Sequence, residues 1–216
     1  MTVFADFSLD LDSNSKKIKL PDSVNRRLLM RNEFGAKLAE FLNLSIDKGP
    51  WLAGGAVRKM YLGQNIGLSD WDIWFSSPEQ FHQSEKLMCS LDAAWAVHGS
   101  DNAISFKYSY NNQEHNVQLV KRRFFDHPGQ IIRQFDFTIC QLLTDGDTLM
   151  IGDQTALDLE SKTIRLASYP MQNYIISRLV KYMVYGYYPS QELIELITEQ
   201  SININWKDGQ NDYDAS

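Results

Sequence analysis

The spacing of apolar residues along the chain predicts an alternation of strands and helices. Apolar and polar residues alternate over residues 3–11, and Ile18 and Leu20 predict a second strand after a turn. Over residues 24–44 the apolar positions recur at helical spacing, which predicts a long helix. The Gly49-Pro50 pair is expected to end this helix.

Strands and helices continue to alternate after this break. The pattern predicts strands over residues 51–53, 70–75, 103–110, 115–122, 135–143, 148–151 and 163–166, and helices over residues 56–62, 78–95, 129–134, 156–160, 171–185 and 190–200. Because no linker or internal repeat separates these elements, we expect one mixed α+β domain. We assign it residues 1–168, with strands of residues 1–20 packed on it, followed by a helical C-terminal appendage (169–206) and a flexible tail (207–216).

The composition is typical of a globular protein and excludes several classes. Of 216 residues, 44% are hydrophobic and 22% charged, which excludes a disordered chain, a collagen and a disulfide scaffold. The formal net charge of −6 argues against non-specific coating of nucleic acid, which needs a surplus of Lys and Arg. Without a signal peptide or an apolar run of about 20 residues, we expect a cytoplasmic protein. Cys89 and Cys140 are expected to be buried, reduced thiols.

A Gly-Gly turn is the first candidate functional feature. The strand over residues 51–53 runs directly into Gly54 and Gly55, and the helix over residues 56–62 follows. Glycine allows a ligand to approach the backbone closely, and N–H groups at the start of a helix can bind phosphate. Arg58, one turn into the helix, would face the same phosphates as a bidentate donor. The alternative is a simple chain reversal.

Two aspartates follow shortly after this turn. Asp70 and Asp72 lie two residues apart on a predicted strand, so both carboxylates are expected on one face and Trp71 on the other. Adjacent carboxylates repel each other unless a cation lies between them, and Mg²⁺ prefers such oxygen ligands. The turn and the aspartate pair together predict a nucleoside-triphosphate site. The alternative for the aspartates is a solvated strand face.

The order of these motifs resembles the polymerase-β-type nucleotidyltransferases, and among them class II CCA-adding enzymes and bacterial poly(A) polymerases. The family's Gly-Gly-x-Val-Arg-Asp, Leu-Leu-Gly and Asp-x-Asp-Ile stretches are similar to residues 54–59, 61–63 and 70–73. A later family block, with Asp-Phe-Thr-Ile and then Asp-Leu…Ile-Arg, resembles residues 134–140 and 157–165. The resemblance therefore covers over half of the chain.

The resemblance implies a fold and a reaction. We expect a polymerase-β-like head, an α+β fold with a mixed, mostly antiparallel sheet flanked by helices. The family likeness implies that Gly54, Gly55 and Arg58 bind the triphosphate and that Asp70 and Asp72 bind two Mg²⁺ ions, which Mn²⁺ could replace. The implied reaction moves a nucleoside monophosphate from an NTP such as ATP to a hydroxyl and releases pyrophosphate. The acceptor would be an RNA 3′ end or a protein, with no membrane partner.

The sequence departs from the family pattern at the third metal carboxylate. Gln118 or Asn116, on the predicted strand 115–122, occupies the place expected for it, and Lys59 stands where the family usually has Asp. An amide oxygen can bind a metal, but an amide cannot act as a base. Asp136, on the following predicted strand, is the candidate replacement. The alternative is that one metal binds weakly.

Other departures concern the nucleotide and the acceptor. The family's nucleobase-reading motif has no clear match, although Arg178 and Lys181 would contact the nucleotide by analogy with the family's following helix. His98 resembles a family position near the cleft. The neck, body and tail that grip tRNA have no counterpart, so we do not expect CCA addition. A second hypothesis is a catalytically degenerate member that binds a nucleotide or a partner protein as a regulatory or structural module.

Overall fold

The computed structural model describes residues 15–18, 32–67, 69–167 and 175–208. The described strands are β1 (Ser15–Ile18), β2 (Trp51–Ala53), β3 (Trp71–Trp74), β4 (Ala94–Gly99), β5 (Ala103–Tyr110), β6 (Gln113–Val120), β7 (Leu142–Thr144), β8 (Leu149–Gly152), β9 (Thr163–Ile164) and β10 (Tyr188–Pro189). The described helices are α1 (Glu33–Phe41), α2 (Gly55–Tyr61), α3 (Pro78–Cys89), α4 (Pro128–Ile132), a 3₁₀-helix (Thr138–Cys140), α5 (Thr155–Glu160), α6 (Ile175–Val184) and α7 (Gln191–Asp208). Within these residues, no helix is both long enough and apolar enough to cross a membrane.

The described residues form two compact units. The first contains the described residues up to Phe135 together with residues 140–153, and the second contains residues 136–139 and the described residues from Gln154 onward. The domain boundaries predicted from the sequence, 1–168, 169–206 and 207–216, remain a prediction.

An eight-stranded sheet forms the centre of the first unit. Its strand order is β1-β8-β7-β2-β3-β6-β5-β4, and β3 and β6 are its one parallel pair of neighbours. Helices lie against both faces. The structure therefore confirms the predicted α+β class with a mixed, mostly antiparallel sheet flanked by helices.

Aromatic packing joins α1 to one face of this sheet. The ring of Phe34 lies 5.2 Å from Trp71 and 5.2 Å from Tyr108, both edge-on, and stacks on His115 at 3.8 Å. A Cβ on the neighbouring Gly35 would come within 2.8 Å of the Trp71 ring, so a larger side chain at this position would push the helix off the sheet. We call this covered side of the sheet the α1 face.

The opposite face is covered by α4, but only over part of the sheet. The buried side chains of Trp51, Ala53, Phe125, Ile131, Ile132, Leu143 and Met150 form one apolar cluster there. Because these strand residues lie on β2, β7 and β8, the cluster fills this face at one end of the sheet. We call this side of the sheet the α4 face.

Local sequence signals predicted several elements correctly. Strand β2 has the predicted bounds, and α2 begins at the Gly-Gly turn as expected. The turn between β5 and β6 consists of Asn111 and Asn112, whose φ angles of 49° and 60° match a two-residue hairpin turn. The N-terminal strand over residues 3–11 and the helix residues before 32 lie outside the described residues.

Two sequence predictions were wrong. The helix predicted over residues 78–95 ends at Cys89, and Ala94–Gly99 forms the edge strand β4 instead. Its side chains are mostly exposed, so no apolar alternation marked it as a strand. The strand predicted over residues 135–143 begins only at Leu142. The backbone of residues 136–138 bonds instead to residues 165–167 within the second unit, and Thr138–Cys140 forms a 3₁₀-helix.

Two smaller differences concern the second unit and the cysteines. The helix predicted over residues 190–200 runs to Asp208. Both cysteines are free, but only Cys140 is buried, whereas Cys89 at the end of α3 is exposed, which corrects the expectation that both are buried.

Candidate functional site

The backbone at the end of β2 requires glycine. Gly54 has a φ of 83° and a ψ of −140°, a conformation that L side chains rarely adopt, and its N–H donates to the Leu142 carbonyl (3.1 Å). A Cβ at Gly54 would lie 3.1 Å from Oδ2 of Asp72, whereas a Cβ at Gly55 would meet nothing within 4 Å. The turn is therefore tight on the Gly54 side and open beside Gly55.

Strand pairing places Asp72 at this turn. Ala53, the last residue of β2, pairs with Asp72 in the antiparallel β2–β3 ladder, so the half-buried carboxylate lies next to Gly54. Asp70 precedes β3 and is exposed, so only Asp72 of the predicted pair lies on the strand itself. The turn and the two aspartates are close in sequence, and the β2–β3 register also places Asp72 beside the turn in space.

The parallel pairing of β3 with β6 decides which residue stands beside Asp72. That residue is Gln118, one of the two amides named from the sequence, and Asn116 lies two positions away. No three His, Cys, Asp or Glu side chains within the described part of the chain come together as a group that could hold a metal ion. The amide of Gln118 therefore occupies the strand position next to the half-buried carboxylate.

Arg58 lies in the interior rather than at the open side of the turn. Only 5% of its surface is exposed, and its Nη1 donates to Sγ of Cys140 (3.6 Å). The neighbouring Lys59 donates through Nζ to the carbonyl of Ile66 (3.0 Å) and so ties down the loop after α2. Phosphate binding by Arg58 remains a prediction.

The second unit contains the remaining predicted site residues. Asp136 is buried, and Arg178 on α6 forms an ion pair with it (2.5 Å). The structure thus pairs a predicted metal-binding carboxylate with a predicted nucleotide-binding cation, a contact that the sequence did not indicate. Lys181 is exposed on the same helix. The catalytic role of Asp136 and the nucleotide contacts of Arg178 and Lys181 remain predictions.

Sequence reasoning did not single out Ser105. It pairs with Gln118 across the β5–β6 ladder and therefore extends the polar row that begins at Asp72. The alternation of β5 could have shown that Ser105 lies on the polar side of its strand. Its alignment with Asp72 depends on two strand registers, which the sequence alone does not supply.

The chain resembles solved nucleotidyltransferases in fold. A CCA-adding enzyme in complex with ATP matches with a TM-score of 0.63 and 13% identity over 91% of this chain and 48% of that one. The complex with CTP matches with a TM-score of 0.62 and 14% identity over 86% of this chain and 47% of that one. The Thermotoga maritima CCA-adding enzyme with tRNA matches with a TM-score of 0.58 and 12% identity over 87% of this chain and 45% of that one. The chain thus spans about half the length of these proteins and has their nucleotidyltransferase-type head fold.

Sequence comparison gives a different kind of match. A family model described as "Gabija anti-defense 2 family protein" (Gad2) matches residues 28–162, more than half of the chain. No curated protein matches the sequence significantly.

Proposed function

This chain belongs to the Gabija anti-defense 2 family, and on that premise we propose that it counters the Gabija defence as a Mg²⁺-dependent nucleotidyltransferase. The proposed reaction moves a nucleoside monophosphate from an NTP to a hydroxyl of an RNA 3′ end or of a protein, and pyrophosphate leaves. One observation supports it above all. The β2–β3 register puts the Asp72 carboxylate against the Gly54 turn in a nucleotidyltransferase-type fold.

The residues at this turn fit a metal-bound triphosphate. Asp70 and Asp72 offer carboxylate oxygens, the ligand type that Mg²⁺ prefers, and Gln118 offers an amide oxygen. The space beside Gly55, which a Cβ would begin to fill, can admit phosphate oxygens close to the backbone. When bound, Mg²⁺ supplies positive charge that offsets the charge of the triphosphate and of the departing pyrophosphate.

The chain's own groups have distinct tasks in this proposal. Asp72, fixed by two neighbouring strands, would hold the Mg²⁺ that binds the triphosphate, since the carboxylate alone would repel the phosphates. Asp70, on the loop before β3, can adjust to the ligand because the strand register does not hold it. Gly54 keeps the backbone in the conformation that leaves the Asp72 carboxylate in place.

The test is transfer of label from [α-³²P]NTPs, one nucleotide at a time, with Mg²⁺ or Mn²⁺ and with RNA or protein as acceptor. We expect labelled product and pyrophosphate, and we expect Asp72→Ala to abolish both. Asp92→Ala, an exposed aspartate in the turn after α3, is the matched control and should retain full activity. Activity that survives in the Asp70→Ala/Asp72→Ala double variant would disprove this site.

The identity of residue 118 favours a second candidate function. Because Gln118 stands beside Asp72, the site contains one negative charge fewer than a three-carboxylate site. A weaker metal site is the expected property of a member that binds a nucleotide or a partner protein without turnover. The second candidate is therefore a regulatory or structural module that acts on the Gabija defence by binding.

One experiment separates the two candidates. Cells that carry the Gabija defence are given either the wild-type chain or the Asp70→Ala/Asp72→Ala variant at equal abundance. The enzyme proposal expects the variant to lose its effect on the defence, whereas the binding module expects it to keep that effect. Gln118→Glu serves as the companion variant, since an added carboxylate should raise Mn²⁺ affinity measured by calorimetry if residue 118 faces the metal.

A further inference from the structure

A row of polar side chains leads from Asp72 across the sheet. Asp72 pairs with Gln118, Gln118 with Ser105, and Ser105 with His98 on the edge strand β4. Residues that pair directly across neighbouring strands have their side chains on the same face. These four residues therefore form one line on the α4 face, and they lie beyond the apolar cluster that fills this face at β2, β7 and β8.

A second row lies beside the first on the same face. Asn116 pairs with Lys107, and Lys107 pairs with Trp95 on β4. Trp95 is 45% exposed, whereas Phe106 and Val117, which lie on the opposite α1 face of β5 and β6, are buried. Trp and other aromatic residues are enriched in protein–protein interfaces, where one large ring supplies much of the contact area.

The charges of this surface do not suit a polynucleotide. Lys107 is the one Lys or Arg of strands β3 to β6 in the described structure. It forms an ion pair with Glu114, with 3.7 Å between Nζ of Lys107 and Oε2 of Glu114. The basic residues 121–123 follow β6 on the other side of the polar row from Trp95. Phosphodiester chains bind through a surplus of cations, whereas on the Trp95 side of the row the charge of Lys107 is balanced by Glu114.

We propose that this surface binds a protein acceptor of the nucleotidyl transfer, and this proposal rests on the function proposed above. An apolar side chain of the acceptor packs on Trp95, its backbone follows the polar rows, and a Ser, Thr or Tyr hydroxyl reaches Asp72. Trp95 is separated from Asp72 by three strand spacings and by the two-residue step from Ser105 to Lys107 on β5, about 16 Å in all; β4 covers the same step with three residues because it contains a bulge between Ala96 and His98. An extended segment of about five residues covers that distance.

The transfer step needs the NTP as its single co-reactant. The acceptor hydroxyl oxygen bonds to the α-phosphorus, and the bond from that phosphorus to the bridging oxygen of the β-phosphate breaks. The electron pair of the broken bond leaves with pyrophosphate. The hydroxyl proton is released to solvent.

The test uses the full chain, [α-³²P]NTPs with Mn²⁺, and two kinds of acceptor. One is a set of synthetic peptides in which a single Tyr, Ser or Thr lies one to eight residues from a single Leu. The other is an RNA oligonucleotide with a free 3′ hydroxyl. We expect label on peptides, with the best acceptors at a spacing of about five residues.

Variants of Trp95 show whether the exposed ring binds the acceptor. Trp95→Ala should raise the KM for the best peptide at least tenfold, and Trp95→Phe should restore most of the loss. Neither should change NTP affinity, measured by calorimetry without acceptor. Leu157→Ala, which removes a side chain that is 58% exposed on α5, is the control and should change neither quantity.

The outcomes separate this proposal from the function on which it rests. Label on RNA and not on peptides would overturn the acceptor proposal and leave the nucleotidyltransferase proposal in place. The same holds if transfer to peptides does not depend on the distance between Leu and the hydroxyl residue or on the Trp95 variants. Absence of label and pyrophosphate with every acceptor would overturn the enzyme itself and the acceptor proposal with it.

Discussion

Replacement of Gly54 by alanine should destabilise the protein, although only one methyl group is added. The φ of 83° at this position would be retained by a residue that rarely adopts it, which costs about 1–3 kcal/mol. The new Cβ would also lie 3.1 Å from Oδ2 of Asp72, so this carboxylate would have to move by a few tenths of an ångström. For a chain of this length, each kcal/mol lowers Tm by about 2–4 °C.

Gly55→Ala is the matched control because it adds the same methyl group one residue later. No atom lies within 4 Å of that methyl, and Gly55 is the first residue of α2, a position that alanine adopts without strain. We expect Tm to fall by at least 2 °C for Gly54→Ala and to stay level or rise for Gly55→Ala, measured by circular dichroism. Equal Tm changes in the two variants would refute the conformational argument.

The same two variants test the phosphate assignment separately from stability. In Gly55→Ala the methyl group would enter the space that we assign to phosphate oxygens, so this variant should fold normally and bind NTP at least tenfold more weakly. Calorimetric titration with a non-hydrolysable NTP and Mg²⁺ measures this. Unchanged affinity in Gly55→Ala would show that the phosphates do not lie there.

Three further predictions concern other parts of the chain. Arg178→Ala should lower the free energy of unfolding, measured in urea, by about 2–3 kcal/mol, because it leaves the buried Asp136 carboxylate without its ion-pair partner. The double variant Arg178→Ala/Asp136→Asn should recover part of this loss, because it also removes the buried charge. Burial lowers the pKa of His115 from its ordinary 6.5, so the unfolded chain binds a proton that the folded chain does not. Stability should therefore fall as pH drops below about 6.5. His115→Phe should remove this pH-dependent part of the Tm change measured across pH 5–8. A thiol reagent should modify the exposed Cys89 in the folded protein at once and the buried Cys140 only on unfolding, and equal rates followed by mass spectrometry would contradict the burial of Cys140.

Elements whose signals are local could be predicted from the sequence. The strand-turn-helix around Gly54 depends on adjacent glycines after an apolar run, and the β5–β6 hairpin depends on two asparagines that tolerate positive φ. Both signals lie within a few residues. The mixed, mostly antiparallel sheet was predicted from the resemblance to nucleotidyltransferases, which rests on the order of several motifs along the chain.

Elements that depend on distant partners could not be predicted. Strand β4 exists because β5 offers it hydrogen bonds, and its mostly exposed side chains show no strand alternation. Residues 136–138 leave the predicted strand because their backbone bonds to residues 165–167, almost thirty residues later. In the same way, Asp136 and Arg178 were each chosen from the sequence, but their ion pair is visible only in the structure.

The register of β6 shows that the amide beside Asp72 is not a requirement of the fold. Val117 and Leu119 are buried on the α1 face, and a slip by one residue would turn both towards the polar face. The apolar core therefore fixes residue 118 opposite Asp72 whichever polar side chain it carries. A carboxylate could stand there without a change in packing, so Gln118 affects the charge of the site and not its geometry. Any difference in metal affinity between Gln118→Glu and the wild type would therefore report on the chemistry of the site alone.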